Sequence, residues 1–245
     1  MGKLMKHERK TKTLIIIHTA MLMGILLFST SLKADLQRDM LSFEQRYIPL
    51  LLLTAQSDAQ SVVASEKLII QWNEFKQQHA YGHQDDSLWG FDLESIERQI
   101  LNAQRLIQAG HFKLAYTQLV KVRTRFIAMR ERHNIPFYID ELSRFDSPLQ
   151  VLLAKFRLNQ ADDVYVEISQ ARTAWQSLMQ TEINFNDYDL TLQQMEYLHH
   201  GLLKGERTLA SMQEHFIAAD YGKLEELAIQ MQDLYSQTYA IFGAD

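Results

Sequence analysis

The sequence predicts an all-α protein built as two tandem up-down-up-down four-helix bundles, and three observations predict it. Apolar residues recur alternately three and four apart over long stretches, as a helix with one buried face requires. Only 3 prolines and 9 glycines interrupt 245 residues. The breaks between periodic stretches run short, long, short, and that order occurs twice.

The chain opens with Lys3, Lys6, Arg9, Lys10 and Lys12, continues with an uncharged stretch from Thr13 to Leu32, and then reaches Lys33 and Ala34. This is a basic region, an apolar region and a small residue at a cleavage point, so residues 1–34 read as a signal peptide cut after Ala34. Twenty uncharged residues also suffice to span a bilayer, so an uncleaved anchor through 13–32 is the alternative. Either way the remainder is exported, and a periplasmic location is expected. Removing 1–34 leaves 19 basic and 29 acidic side chains, a net charge of about −10, which argues against nucleic acid as a partner. The absence of cysteine excludes a covalently attached c-type haem, iron–sulfur clusters and thiolate zinc sites.

Helix 1 carries the stripe Leu36, Met40, Phe43, Tyr47 and Leu50, and Ser57 and Asp58 can cap a second helix holding Trp72. A long loop, "AYGHQDDSLWGFD" (80–92), ends in an Asp cap for helix 3, whose stripe is Leu93, Ile96, Ile100, Ala103 and Ile107. Gly110 makes a tight turn into helix 4, with Phe112, Ala115, Leu119, Val122, Phe126 and Met129 on its buried face. "NIPF" (134–137) then separates the halves. In the second half, Asp162 caps helix 6 (Val164, Ile168, Ala171, Trp175, Leu178), "QTEINFNDYD" (180–189) is the long loop, and "AADYG" (218–222) is the tight turn into helix 8 (Leu224, Leu227, Met231, Leu234, Thr238, Ile241).

Side chains follow the same rhythm. Pro49-Leu50 matches Pro148-Leu149, Trp72 matches Trp175, and "GHFKLA" (110–115) matches "ADYGKL" (219–224). The domains expected are therefore 35–134 and 138–245, with one continuous eight-helix array as the competing architecture. Pro49 and Pro148 fall inside helical patterns and should kink or interrupt their helices.

The stretch "ADLQRDM" (34–40), at the cleavage point, is similar to the opening "ADLEDNM" of the soluble periplasmic cytochrome b562 family, and "YGKLEEL" (221–227) resembles that family's last turn, "EGKVKEA". The resemblance implies a four-helix bundle that holds non-covalent haem b between a Met near the start of helix 1 and a His near the end of helix 4. It gives Met40 the Met role. Aligning Gly110 with the family's last turn puts Arg130 at the His position, whereas aligning Gly222-Lys223 puts Phe242 there, which the internal repeat carries back onto His133. His133 extends the helix 4 stripe, so Met40 and His133 are the candidate axial ligands; thioether and imidazole suit haem iron in a low-dielectric bundle. The repeat matches Met40 with Ile139 and His133 with Phe242, so the second bundle has neither ligand, and Met40 itself reads as core packing.

Other candidates reduce to ordinary roles. His199 and His200 are adjacent, so they point about 100° apart on a helix and cannot share a metal. Glu196 and His199 supply one Glu-x-x-His where a di-iron bundle needs two. Gly201 and Gly205 permit close helix contact. Trp89, Phe91 and Tyr81, beside His83, Asp85 and Asp86, read as a cap over the open end of the first bundle, as Phe185 and Tyr188 do for the second. "KVRTR" (121–125) and "RERH" (130–133) read as a solvated basic face. No nucleophile motif or phosphate loop is present, so a non-catalytic binding or interaction role toward a protein partner is expected, with haem lost or reduced and no cofactor. The alternatives are a haem b electron carrier and a membrane-tethered interaction module.

Overall fold

The computed structural model describes residues 35–81 and 86–243, leaving aside the side chain of Asn186, and eight α-helices account for most of these described residues. Helix α1 covers 35–55, and it is followed by α2 (Ser61–His79), α3 (Trp89–Gln108), α4 (Phe112–Arg132), α5 (Tyr138–Arg157), α6 (Tyr165–Gln180), α7 (Leu192–Ile217) and α8 (Tyr221–Ala240). No strand occurs among the described residues, and no described helix is long and apolar enough to cross a membrane. The expected signal or anchor at 1–34, and His83 and Asp85 of the first long loop, lie outside the described residues. Residues 41–245 form one compact unit. Of the residues before it, 35–40 are described, and they are helical.

The apolar stripes become the core. Phe43 of α1 stacks on Phe126 of α4 with centroids 4.3 Å apart and meets Trp72 of α2 edge-on at 6.0 Å. The Tyr47 hydroxyl donates to the Leu119 carbonyl at 2.8 Å, tying α1 to α4 again. Helix α3 packs on both α2 and α4. In the later half α5 packs on α6, α6 on α7, α7 on α8, and α8 back on α5. Trp175 of α6 is seated there by glycine: a Cβ on Gly205 of α7 would stand 2.3 Å from its ring, and its indole N–H donates to the Leu202 carbonyl at 2.9 Å. The Gly-x-x-x-Gly spacing thus serves a close helix contact.

Five helix ends close in one way. Ser57, Gly110, Asn134, Asn159 and Ala219 all have positive φ. In each case the next residue's amide donates back to a carbonyl five positions earlier, as Ile135 does to Arg130 at 2.9 Å, so each is a Schellman end. The tight turns expected at Gly110 and before Gly222 are two of these.

Local expectations need three corrections. Both Pro49 and Pro148 sit inside helices that run on past them, so neither interrupts its helix. Asp92 does not cap α3. The helix starts earlier, at Trp89, because Asp86 makes the turn by accepting from the Leu88 amide at 2.9 Å. Asp162 does not cap α6 either; it lies in a 3-10 turn (Ala161–Asp163), and buried Val164 leads into the helix.

Candidate functional site

The end of α4 carries the chemistry. Arg123, Phe126 and Arg130 fall three and four apart, so the two guanidiniums flank an aromatic core residue and enter the interior instead of facing water. This corrects the solvated basic face expected for "KVRTR" and "RERH" at two residues, Arg123 and Arg130, the latter 1% exposed, while Lys121, Arg125 and Arg132 keep contact with solvent. What makes burial tolerable is pairing. Arg130 donates twice to Asp140 of α5, Nε to Oδ2 at 2.9 Å and Nη2 to Oδ1 at 2.5 Å, and once to Glu44 Oε1 of α1 at 2.9 Å. Its plane also lies over the rings of Phe137 at 4.6 Å and Phe126 at 5.6 Å. Arg123 donates to Asp146 of α5 at 2.6 Å and reaches the Tyr235 hydroxyl of α8 at 3.5 Å. Two buried ion pairs, Arg123 with Asp146 and Arg130 with Asp140, thus link α4 to α5 in opposite chain directions.

The charges in this cluster do not balance locally. Two carboxylates, Glu44 and Asp140, meet the single guanidinium of Arg130, and Glu44 Oε2 finds no partner among the described residues. Burial pushes the Glu44 carboxyl above the usual carboxylate range, against the pull of Arg130. Burial opposes the charge on Arg130 as well, but Glu44 and Asp140 outweigh it and hold its proton more tightly than usual. Burial also raises Tyr47, Tyr235 and Tyr239, so all three enter the cluster as neutral phenols.

A cleft of about 750 Å³ opens beside the network at the joint between α4 and α5. Arg130, Phe137 and Asp140 line its inner side, and Tyr188 closes it from the 181–188 segment. The Tyr188 hydroxyl accepts from the Tyr138 amide at 2.6 Å, which fixes the first turn of α5, and burial pushes that phenol up to about 12. Neither the buried acids nor Tyr188 as a wall of this cleft followed from the sequence. The available signal was the seven-residue spacing of Arg123 and Arg130 beside the apolar stripe, with Asp140 and Asp146 on the next helix.

The residues singled out as ligands fall as follows. Met40 lies in α1 and is fully buried. His133 is the residue after α4, at the start of the Schellman end formed by Asn134, and not a continuation of the inward stripe. Its Nε2 lies 3.1 Å from Asp86 Oδ2, and its ring meets Trp89 edge-on at 5.1 Å. The Leu88 amide, Arg132 and His133 together hold the Asp86 carboxyl below its usual range despite the cost of desolvation. An ionised carboxylate accepts only, so Nε2 carries the proton here and presents no lone pair. Arg130, at the family's His position by the Gly110 alignment, has no lone pair to offer iron and is held on three hydrogen bonds.

Other predicted groups are placed simply. His199 and His200 are exposed with centroids 6.2 Å apart, and no group of three or more metal-holding side chains occurs among the described residues. Trp89 is buried and its indole N–H donates to the His79 carbonyl at 2.7 Å, whereas Phe91 is exposed beneath the Arg125 guanidinium at 5.2 Å. Compared with protein-family models, with curated proteins and with solved structures, the chain matches none of them.

Proposed function

We propose that the chain is an exported, periplasmic protein of two tandem up-down-up-down four-helix bundles, 35–134 and 138–245. Its role in this reading is non-catalytic binding or interaction, and haem binding of the cytochrome b562 kind is lost or reduced. The observation that carries the reading is Arg130. By the alignment on Gly110, a buried guanidinium with its own carboxylates stands where the resemblance calls for a haem-ligating imidazole, and a charged network occupies the interior around it. The engagement of His133 Nε2 with Asp86 supports the same reading, since iron ligation through that nitrogen would require the contact to be given up.

The tandem arrangement draws support from matched backbone features. Gly110 and Ala219 share the positive-φ turn, His111 and Asp220 share the N-cap position, and Trp72 and Trp175 are the buried anchors of α2 and α6. The joint cleft beside Arg130 offers a concave surface with polar and aromatic groups for a partner or small ligand. Titration of the purified full chain with haem b tests the proposal by absorbance. The expected result is no Soret band of axially ligated haem at stoichiometric haem. A band that shifts on reduction and is lost in Met40→Ala or His133→Ala would overturn it in favour of an electron carrier.

A further inference from the structure

Helix α5 carries the chain 20 residues away from the joint cleft, about 30 Å at the rise of a helix, to the far end of the second half. Two turns meet there: the one that leads from α5 through the 3-10 turn at Ala161–Asp163 into α6, and the one between α7 and α8. A row of three rings joins them. Tyr165 of α6 lies 5.5 Å from Phe216 of α7 between centroids, and Phe216 lies 6.4 Å from Tyr221 of α8. At the same two turns Leu158 is 66% exposed and Ile217 79%, so apolar surface is grouped at this end.

The turns themselves do not call for these residues. Counting from the positive-φ positions, Leu158 beside Asn159 matches Gln56 beside Ser57, and Ile217 before Ala219 matches Gln108 before Gly110. Both glutamines are exposed and close the same backbone turn in the first half. The aliphatic side chains of the second half are thus surface that another molecule can cover, with a gain that grows with the apolar area removed from water.

Carboxylates stand around the row. Asp162 precedes Tyr165 by three residues, Glu214 precedes Ile217 by three on one face of α7, and Glu225 follows Tyr221 by four on one face of α8; all three acids are exposed. Lys155 is held by Asp163 and Glu167, and Lys223 by Glu226, which leaves these three acids against Arg157 among the described residues. A second copy of the chain would bring like charge to this rim, and so would an anionic lipid surface, whereas a cationic partner meets opposite charge. The ring spacings lie close to the pitch of an α-helix, about 5.4 Å, so apolar side chains one turn apart can meet successive rings. We propose that this end docks a basic amphipathic helix of a partner protein, its apolar face on Leu158, Tyr165, Phe216, Ile217 and Tyr221 and its cations on Asp162, Glu214 and Glu225. The inference rests on the interaction role proposed above, to which it adds the chemistry of the partner, and not on the haem argument.

Fluorescence anisotropy of a labelled synthetic helix of leucine and lysine, its leucines on one face, titrated with the purified full chain, supplies the test. Saturable binding is expected, with the leucine and glutamate counterpart bound about tenfold more weakly or less. Leu158→Gln with Ile217→Gln, the residues that the first half uses at its own turns, should weaken binding by about tenfold while thermal melting stays that of the parent chain. Glu214→Lys should weaken it by about threefold or more, and Glu66→Lys, at an exposed position of α2, should leave it within about twofold. Equal binding of the two peptides would overturn the proposal, as would unchanged affinity in the double variant or equal weakening by Glu66→Lys. Self-association in sedimentation that the double variant abolishes would assign this end to a second copy, and binding of phosphatidylglycerol vesicles without binding of the peptide would assign it to a membrane; either result overturns the proposal. The haem titration reads separately: a Soret band would overturn the loss of haem and leave this site standing, and failure of the peptide to bind would leave the loss of haem standing.

Discussion

The ends of α4 and α8 lie nearly the same number of residues beyond a positive-φ turn yet carry opposite chemistry. Counting from the positive-φ residues Gly110 and Ala219, Phe126 corresponds to Tyr235, Arg130 to Tyr239 and His133 to Phe242. The α4 end brings cations that are paired with acids of α1 and α5. The α8 end brings stacked phenols, Tyr235 and Tyr239 with centroids 5.6 Å apart, and then Phe242 against Tyr138 and Tyr188. The two ends meet where Arg123 reaches the Tyr235 hydroxyl. One helical frame thus holds charge on one side and neutral polarity on the other.

Removing the charge from one side should break this arrangement most severely. Arg130→Met leaves Glu44 and Asp140 buried without a countercharge, and a loss of about 3–5 kcal/mol is expected in denaturant unfolding. The matched change, Tyr239→Phe, removes a neutral hydroxyl that lies beside Ser143 and Arg123 without a well-aligned hydrogen bond among the described residues, so its cost should stay within about 1 kcal/mol. Equal losses in the two variants would show that the ends are energetically alike.

The matched tryptophans sharpen the comparison at the next level of energy. Trp175 is accommodated by Gly205 and hydrogen-bonded to Leu202, while Trp72 Nε1 has no partner among the described residues. Gly205→Ala would place a methyl group inside the Trp175 ring contact and should cost about 1–3 kcal/mol. Trp175→Phe should accordingly destabilise more than Trp72→Phe in the same thermal melts, because only the former forfeits a hydrogen bond.

Glu44→Gln tests the charge imbalance itself. Burial raises the folded carboxyl above its ordinary range, so as pH rises through the interval between the two values the unfolded chain loses its proton before the folded one, and stability falls. Above the raised value that cost is fully present; below the ordinary range it vanishes. The glutamine keeps an acceptor for Arg130 without the charge, so it should be more stable than the parent at neutral pH, read as a higher unfolding midpoint in denaturant. The gap should close as pH falls toward the ordinary glutamate range. A gap independent of pH would place the effect in packing.

Much of the frame is legible in the sequence because burial along a helix leaves a periodic trace. Phe43, Phe126 and Trp175 are core residues, and the stripes that name them need only local spacing. The site is less legible because its partners are distant: Glu44 and Arg130 are 86 residues apart, and a lone arginine on helix 4 looks the same whether it faces water or a carboxylate. His133 shows the same limit from the other side. Its spacing continues the stripe, but Asn134 takes positive φ and ends the helix, turning the ring to Trp89 and Asp86. The prolines were read for the hydrogen bond they lack, whereas neighbouring helices decide whether that loss ends a helix.

The smallest expected effect exchanges the turns of the two halves. Gly110 and Ala219 adopt the same left-handed conformation, at φ 75° and 55°, with the same backward hydrogen bonds. Glycine enters that region freely, but the alanine Cβ crowds the backbone there, at a cost of about 1–2 kcal/mol partly offset by the lower entropy of the unfolded alanine. Ala219→Gly should therefore stabilise the chain by up to about 1 kcal/mol, and Gly110→Ala should destabilise it by a similar amount. A Cβ at Gly110 meets nothing within 4 Å, so the second variant reports backbone strain without a packing clash. Shifts in midpoint of opposite sign and similar size would establish that the turns are equivalent in backbone and differ only in side chain. A destabilising Ala219→Gly would mean that the Ala219 methyl group contributes more than its strain removes, and the two turns would then be alike in shape alone.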